Sequence, residues 1–326
     1  MMLHVWLVLT PNVLMLDFAG PAEALRMARD MGAPLVLHTC GPQADIATSL
    51  DVALTGLAPL PATLPPHSLV LVVGNSNEAV DYASPQAAHV VQWLRSAPLA
   101  DTQLASICSG ALLLAQAGCL KGRRCTTHHT LIDALRAADP SAQVETDRIF
   151  VDDGQVLTSA GITTGIDLAL HLIEQHAGPE LAARVARRLV MYQRRGEHDP
   201  QTSPWLAYRN HMHPAVHRAQ DALARDPARL WTLPDLAEEA CVSVRHLSRL
   251  FAHHAGIGVL AYQQQLRIAR AKDLLAVVPP ISVEQVAQRC GFASARDFRR
   301  VWQRFAEGSP GQGRRSVLTT PPKAVF

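Results

Sequence analysis

The chain has 326 residues, which is enough for two domains that each bury a core of their own. Hydrophobic residues make up 48% of it and charged residues 18%, a composition that excludes a disordered or fibrous protein. The net charge of +2 conceals an asymmetry, because residues 1–209 contain 14 Lys and Arg against 19 Asp and Glu, whereas residues 210–316 contain 15 against 9. A basic C-terminal third predicts a module that binds a polyanion.

The N-terminal segment, residues 1–21, is apolar, but it has no basic start and no small-residue cleavage site. It also contains Pro11 and Asp17, which favour a first strand and loop over a signal peptide. No apolar run approaches the roughly 20 residues of a membrane span, and the six cysteines are scattered without zinc-binding spacing. We therefore expect a reduced, cytoplasmic protein with no membrane partner, no cofactor and no metal, and the adjacent histidine pairs 128–129 and 253–254 receive no metal role.

Residues 1–195 alternate between β-rich and helical stretches. The predicted strands are LHVWLVL (3–9), LVLHTC (35–40), SLVLVVG (68–74), TQLASIC (102–108) and the start of GQVLTSAG (154–161). The predicted helices are PAEALRMARDMG (21–32), PQAAHVVQWLRSAP (85–98), GIDLALHLIEQHAG (165–178) and PELAARVARRLVMYQRR (179–195). Near-continuous apolar strands separated by helices predict an α/β doubly wound, flavodoxin-like domain with a parallel sheet covered on both faces.

The stretch SICSG (106–110) places Cys108 between Ser106 and Gly110, where a predicted strand gives way to a predicted helix. Small residues two positions to either side are typical of a nucleophile elbow, a sharp turn that lets strand and helix pack closely. The positive end of the helix dipole favours the thiolate at such a position. The pattern alone leaves three roles open for Cys108, namely a catalytic nucleophile, a sensor or an inert buried thiol.

The region after residue 195 begins with a linker and continues with a duplicated helical pattern. Residues 196–212 are rich in Pro, polar and turn residues and show no periodicity. Beyond them, LPDLAEEACVSVRHLSRLF (233–251) aligns with VEQVAQRCGFASARDFRRVW (283–302), so that Cys241 falls on Gly291, Ser243 on Ser294, Leu247 on Phe298 and Phe251 on Trp302. Two copies of helix, tight turn, N-cap serine and second helix predict two helix-turn-helix units in an all-α domain.

The second helix of each unit is amphipathic. The predicted buried residues are Val244, Leu247, Leu250 and Phe251 in the first copy and Phe298, Val301, Trp302 and Phe305 in the second. An α-helix fits the major groove of DNA, where arginine contacts guanine or phosphates. A solvated charged face is the alternative for one helix, but its repetition at matching positions favours double-stranded DNA as the partner. The predicted DNA contacts are Arg245, His246, Ser248, Arg249, Arg296, Arg299, Arg300 and Gln303.

Residues 213–312 resemble the DNA-binding domain of AraC/XylS-type transcription regulators. The resemblance is carried by DLAEEACVSVRHLSRLF, by RIARAKDLL and by ISVEQVAQRCGFASARDFRRVWQRF. It implies two helix-turn-helix lobes that are joined by a helix at about 260–277 and that contact successive segments of the major groove. The chain departs from the family pattern in GIGVL, where G-x-S-P is usual, and in SPGQGRR, where SP-x-x-YR is usual.

Residues 3–195 resemble PfpI-like domains of the class I glutamine amidotransferase-like superfamily, through VLMLDFAGPAEAL, LVLVVGNSN, LASICSGALLLAQAGCLKGRRCTTHH and VLTSAGITTGIDLALHLI. The resemblance places a pocket, or pseudo-active site, at Asp17, Gly74, Asn75, Cys108, Ser109 and His128. It implies that Asp17 approaches the thiol from the loop after the first strand and that the Gly74–Asn75 turn offers backbone N–H groups near it. Hydrolytic members have histidine after the cysteine, where this chain has Ser109, so we expect no catalytic residues.

A PfpI-like domain followed by an AraC-type domain is the architecture of GlxA-like transcription regulators, which the chain resembles throughout. We assign a ligand-sensing and dimerisation domain to 1–195, a linker to 196–212, a DNA-binding domain to 213–316 and a tail to 317–326. The resulting hypothesis is a homodimeric regulator, not an enzyme, that senses a small-molecule effector beside Cys108. The alternatives are an isonitrile hydratase- or amidase-like enzyme using Cys108 and Asp17, and a redox sensor pairing Cys108 with Cys119 or Cys125.

Overall fold

The structure is a computed structural model that describes residues 2–76, 82–97, 101–191, 195–197, 200–202, 207–275, 281–306 and 308–311. It divides into two compact units, Met1–Gln201 (unit 1) and Thr202–Phe326 (unit 2). This division falls within the segment 196–212 that the sequence assigns to a linker. The predicted tail, 317–326, lies outside the described residues.

Unit 1 is built on a seven-stranded sheet. In chain order its strands are β1 (Leu3–Val8), β2 (Leu35–Gly41), β3 (Ile46–Ala47), β4 (Ala53–Leu54), β5 (Ala58–Pro59), β6 (Ser68–Val72), β7 (Gln103–Ile107), β8 (Arg124–Cys125), β9 (Gln143–Val144), β10 (Phe150–Asp152) and β11 (Val156–Ser159). The main sheet has the order β10-β11-β7-β6-β1-β2-β5, and only β10 pairs antiparallel with its neighbour. Strands β3–β4 and β8–β9 form two small sheets beside it.

Six helices belong to unit 1, among its described residues: α1 (Met15–Asp30), α2 (Pro85–Ser96), α3 (Gly110–Gln116), α4 (Ile132–Ala138), α5 (Thr164–Ala177) and α6 (Pro179–Arg188). One core cluster packs α1, α5 and α6 against the sheet, and a second packs α2, α3 and α4. Two separate apolar layers on one parallel sheet confirm the doubly wound prediction. The central strand β6 is buried throughout, as expected for a strand covered on both faces.

The first helix begins six residues earlier than the sequence predicts. The prediction placed Pro21 at the start of a helix, because proline fits the first helical turn. In the structure Pro21 lies inside α1, where a proline removes one main-chain hydrogen bond. The extra turn contains Asp17, whose carboxylate lies near the positive end of the helix dipole. Asp17 therefore belongs to a helix and not to the loop that the family resemblance implied.

Unit 2 is helical throughout its described elements, which are α7 (Pro214–Arg225), α8 (Leu233–Glu239), α9 (Val244–Ala255), α10 (Val259–Leu275), α11 (Val283–Arg289) and α12 (Ala295–Phe305). Capping boxes begin both first helices, at Thr232 and Ser282, and Ser243 and Ser294 cap the second helices through their hydroxyls. The aligned turn residues Cys241 and Gly291 both have positive φ, 54° and 78°. The duplicated helix-turn-helix is therefore confirmed down to its turn geometry.

Each helix-turn-helix unit has its own core, and α10 contributes to both. Tyr262 and Leu266 pack with Leu247 and Phe251 in the first core, whereas the later half of α10 packs with Phe298 and Trp302 in the second. Val244 was predicted to be buried, but it is 38% exposed and is the first residue of α9. No helix among the described residues is long and apolar enough to cross a membrane.

Candidate functional site

Cys108 lies in a strained turn between β7 and α3. Its φ is +55°, a left-handed conformation that side chains other than glycine rarely adopt. Its N–H donates to the carbonyl of Ser159 at 3.0 Å, which ties the turn to β11. A Cβ on Gly110 would lie 2.3 Å from the carbonyl oxygen of Val72, so only glycine fits there. The turn therefore has the geometry of a nucleophile elbow.

The carboxyl group of Asp17 is buried beside the Cys108 thiol. Its Oδ1 accepts a very short hydrogen bond from the backbone N–H of Ile162. Burial raises the pKa of Asp17 from 3.8 to about 6, against the smaller lowering effects of the Ile162 N–H and the Cys108 thiol. A carboxyl with such a pKa gains or loses a proton near neutral pH, so this pair can exchange protons with a bound molecule.

The turn after β11, which contains Gly161 and Ile162, packs against Cys108 and is bonded to Asp17. These two residues were not among the predicted site residues. Gly161 approaches Cys108 so closely that a Cβ there would lie 2.2 Å from the Cys108 Cβ and 2.8 Å from its Sγ. The next residue, Ile162, has a φ of +54°, which is strained for a β-branched side chain. The only sequence signal was the glycine in TSAGITTG, which is typical of a close backbone approach.

Gly74 and Asn75 reach the elbow through Ser109. The Asn75 N–H donates to Ser109 Oγ at 3.0 Å, and that hydroxyl donates back to the Asn75 carbonyl at 3.3 Å. The Asn75 side chain is held in turn by Thr10 and Pro11. A Cβ on Gly74 would lie 2.9 Å from the Cys108 Cβ. The Asn75 N–H, which the resemblance assigned to the thiol, is therefore engaged by the Ser109 hydroxyl.

The segment TTH (126–128) contacts the elbow through the side chain of Thr127. The Thr127 hydroxyl donates to the Cys108 carbonyl at 2.8 Å. His128 is half-buried, its Nδ1 lies 2.7 Å from the Thr130 hydroxyl, and its ring packs on His129 with centroids 4.3 Å apart. Burial, with a contribution from His129, lowers the pKa of His128, so the imidazole is neutral at pH 7. Thr127 is a site residue that the prediction missed.

Burial acts on the thiols of Cys119 and Cys125, the two candidate redox partners of Cys108. Burial raises the pKa of Cys125 to about 12 and raises that of Cys119 as well, which disfavours the reactive thiolate. None of the six cysteines, which all lie among the described residues, forms a disulfide. The described residues also contain no group of three or more His, Cys, Asp or Glu side chains that is placed to hold a metal ion.

The second helices of unit 2 carry the predicted DNA contacts on exposed faces. Arg245, Ser248, Arg249, Arg296, Arg299, Arg300 and Gln303 are exposed, and His246 is half-buried. Arg299 pairs with Glu284 at 3.1 Å and Arg300 with Asp297 at 2.5 Å, whereas Arg249 contacts the His246 ring. Such exposed pairs are weak and exchange readily for phosphate oxygens. The two faces therefore present basic groups at corresponding positions of α9 and α12.

Two family models match the chain, a DJ-1/PfpI family model over residues 4–175 and a helix-turn-helix domain model over residues 236–316. The HTH-type transcriptional regulator CdhR of Pseudomonas aeruginosa is 32% identical over 98% of this chain and 95% of its own length. The HTH-type transcriptional regulator GlxA of Rhizobium meliloti is 29% identical, covering 94% of each chain. Isonitrile hydratase of Pseudomonas putida is 32% identical over 58% of this chain and 78% of its own length.

Among solved structures, an AraC family transcriptional regulator from Pseudomonas putida matches the fold with a TM-score of 0.51 and 20% identity, over 57% of this chain and 99% of the other. The fold, the nucleophile elbow and the duplicated helix-turn-helix, together with these relatives, define a transcriptional regulator that joins a PfpI-type domain to an AraC-type helix-turn-helix domain. The chain belongs to the DJ-1/PfpI family.

Proposed function

We propose that the protein regulates transcription by binding duplex DNA through α9 and α12, and that a small molecule in the site around Cys108 controls this binding. The observation that carries the DNA-binding role is the repetition of exposed basic groups on two equivalent, serine-capped helices. Recognition helices of this kind insert side chains into the major groove, and arginine there reads guanine or holds phosphate. The names of the CdhR and GlxA relatives support the same role.

The DNA-binding role is tested by selecting duplexes from a random pool with the full-length chain and measuring affinity at several salt concentrations. Affinity should fall steeply with salt, because each phosphate contact releases counterions. Arg245→Ala and Arg296→Ala should each cost about 1 to 3 kcal/mol if these side chains read bases. Arg136→Ala, which removes an exposed arginine from α4, is the matched control. Absence of duplex binding at low salt would overturn the role.

The sensing role rests on the buried Asp17–Cys108 pair, the closely packed Gly161 turn and the engaged Ser109 hydroxyl. These groups form a small polar site with one carboxyl whose pKa is raised to about 6. Thermal-shift screening of small metabolites against the wild type and Cys108→Ser identifies the effector, because a ligand that binds only the folded state raises its stability. An effector that shifts both proteins equally would place its site elsewhere.

A second candidate function is enzymatic, and the Asp17–Cys108 pair favours it. A carboxyl with a pKa of about 6 beside a thiol suits general acid–base chemistry on an isonitrile or amide, and isonitrile hydratase is among the relatives. We infer that such turnover is not the role of this chain, because a metabolic enzyme has no use for the basic, duplicated helix-turn-helix of unit 2. Sustained turnover of an isonitrile or amide that Cys108→Ser abolishes, with DNA binding unaffected by any ligand, would establish the enzyme instead.

We further propose a homodimer formed through unit 1 and a cytoplasmic location. Two linked helix-turn-helix domains reach two half-sites, and the second contact becomes intramolecular, which raises the overall affinity. The net negative charge of residues 1–209 would keep this part away from the DNA backbone. Sedimentation of the full-length chain across a range of concentrations tests the dimer, and a monomer at every concentration would contradict it.

A further inference from the structure

The segment at the end of unit 1, which includes Arg195 and Gln201, is bonded next to the Gly161–Ile162 turn that packs against Cys108. The backbone N–H of Arg195 donates to Asp167 Oδ1 at 3.2 Å, and its Nε donates to Asp167 Oδ2 at 3.0 Å. Its terminal nitrogen donates to the Thr163 hydroxyl at 2.9 Å. The Asp167 side chain is fully buried, so this pair loses little to solvent screening. Arg195 is thereby joined to Thr163, which directly follows Ile162, and to Asp167 in α5.

The same segment is also bonded to Thr127, on the loop after β8. The Gln201 side chain donates to the Thr127 carbonyl at 2.9 Å, and its backbone N–H donates to Asp147 Oδ1 at 3.0 Å. Thr127 is the residue whose hydroxyl donates to the Cys108 carbonyl. Between these anchors, Glu197 pairs with Arg124 at 2.8 Å. Arg195 is therefore bonded to Thr163, next to Ile162, and Gln201 is bonded to Thr127, which contacts Cys108.

The turn that contains Ile162 is held in a strained conformation. Ile162 and Cys108 both have left-handed φ values, 54° and 55°, and both conformations persist only while their surroundings hold them. The hydrogen bond from the Ile162 N–H to Asp17 is one of these restraints. A molecule that takes over the Asp17 carboxyl, or a proton that neutralises it, weakens this restraint. The Ile162 turn can then relax, and Thr163 moves with it.

We propose that Arg195 and Gln201 transmit the state of the Cys108 site to unit 2. Their hydrogen bonds would form or break with that state, and so hold or release the end of unit 1, from which the chain continues into unit 2. This inference rests on the proposed sensing function and names its route. A contiguous chain of bonds runs from Cys108 and Asp17 through Ile162, Thr163 and Asp167 to Arg195, and a shorter one runs from Cys108 through Thr127 to Gln201. Coupling of this kind requires an element with two arrangements that both ends bias, and we assign that part to the strained Ile162 turn.

The test uses Asp17→Asn in the full-length chain as the perturbation of the site, so that no effector needs to be known. Amide exchange followed by mass spectrometry reads the anchors, because the N–H groups of Arg195 and Gln201 both donate to carboxylates. Asp17→Asn should speed exchange in peptides covering these two residues by about tenfold, because their protection depends on local opening. Peptides from β1, at the centre of the sheet, should keep their rates.

A double-mutant cycle on DNA affinity completes the test. Asp17→Asn should change the affinity for a selected duplex by about fivefold or more, the range of ordinary allosteric coupling. Combining it with Arg195→Ala and Gln201→Ala should remove most of that change, because interacting sites are not additive. Arg26→Ala, which breaks an exposed pair with Glu23 and Asp30 on α1, is the control and should leave it intact.

The possible failures separate the two proposals. If neither Asp17→Asn nor Cys108→Ser alters DNA affinity, the sensing function itself is wrong. If Asp17→Asn alters DNA affinity equally in the presence and absence of the two anchors, sensing stands and the proposed route is overturned. Unchanged exchange at Arg195 and Gln201 in Asp17→Asn would also overturn the route.

Discussion

Replacing Gly161 with alanine should destabilise unit 1 far more than the same change at another glycine of similar conformation. Gly161 has a φ of +83°, and its new Cβ would lie 2.2 Å from the Cys108 Cβ. Gly154 has a φ of +77°, but nothing lies within 4 Å of a Cβ built there. Both substitutions force alanine into a conformation that costs about 1 kcal/mol, whereas only Gly161→Ala adds a steric overlap.

The overlap sets the size of the difference. Ordinary carbon contacts lie at 3.5 Å or more, so the Gly161 turn and the elbow must separate by about 1 Å. Overpacking of this extent costs about 1 to 3 kcal/mol. We therefore expect Gly161→Ala to lower the free energy of unfolding by about 3 kcal/mol and Gly154→Ala by about 1 kcal/mol.

The measurement is amide exchange of β6 and β7 peptides in the full-length chain across a urea series, because these buried strands report the unfolding of unit 1 separately from unit 2. The comparison of the two alanine variants cancels the conformational cost that they share. If Gly161→Ala proves no more destabilising than Gly154→Ala, the close packing of this turn against Cys108 is not a constraint on the fold, and the site geometry described above is wrong.

Three further predictions concern single side chains. The folded-state pKa of Asp17 is raised to about 6 from 3.8, so its contribution to stability is greatest below pH 3.8 and is lost as the pH rises through 6. In urea unfolding, the stability of Asp17→Asn relative to the wild type should therefore rise by about 1 to 2 kcal/mol between pH 5 and pH 8. A difference that stays constant with pH would contradict this, and the exposed Asp133→Asn is the control. Ser294→Ala, which removes the cap of α12, should cost about 1 kcal/mol in thermal unfolding of unit 2, and an unchanged transition would count against the cap. Phe298→Ala empties a fully buried position of the second helix-turn-helix core and should cost about 3 to 5 kcal/mol, with loss of DNA binding, whereas equal stability to the wild type would refute that core.

The sequence allowed the fold to be predicted wherever the pattern is local. Apolar runs located five of the seven strands of the main sheet but not the short strands β5 and β10. The alignment of Cys241 with Gly291 located a turn that both copies share. Pro21 was misleading, because the packing of the surrounding helix overrides a preference that is only statistical. Val244 was misplaced as well, since periodicity does not show how deeply the first residue of a helix is buried.

The site was harder to predict than the fold. Cys108 has a recognisable local pattern, and the resemblance supplied Asp17. Gly161 and Ile162 follow β11, and the register of β7 with β11 brings them to the thiol, whereas Thr127 follows β8. Arg195 gave no signal at all, because its role depends on a buried carboxylate, Asp167, that is distant in the chain.

The helix α10 works as a fixed spacer, because both helix-turn-helix cores are built partly from its side chains. An α-helix turns by about 100° for each residue and repeats its facing only after whole turns. Inserting or deleting one residue within α10 would therefore rotate one helix-turn-helix unit around the helix axis relative to the other by about 100°. Their separation would change by only about 1.5 Å. Only insertions or deletions close to whole turns, of about three, four or seven residues, would keep the relative orientation of the two helix-turn-helix units nearly unchanged.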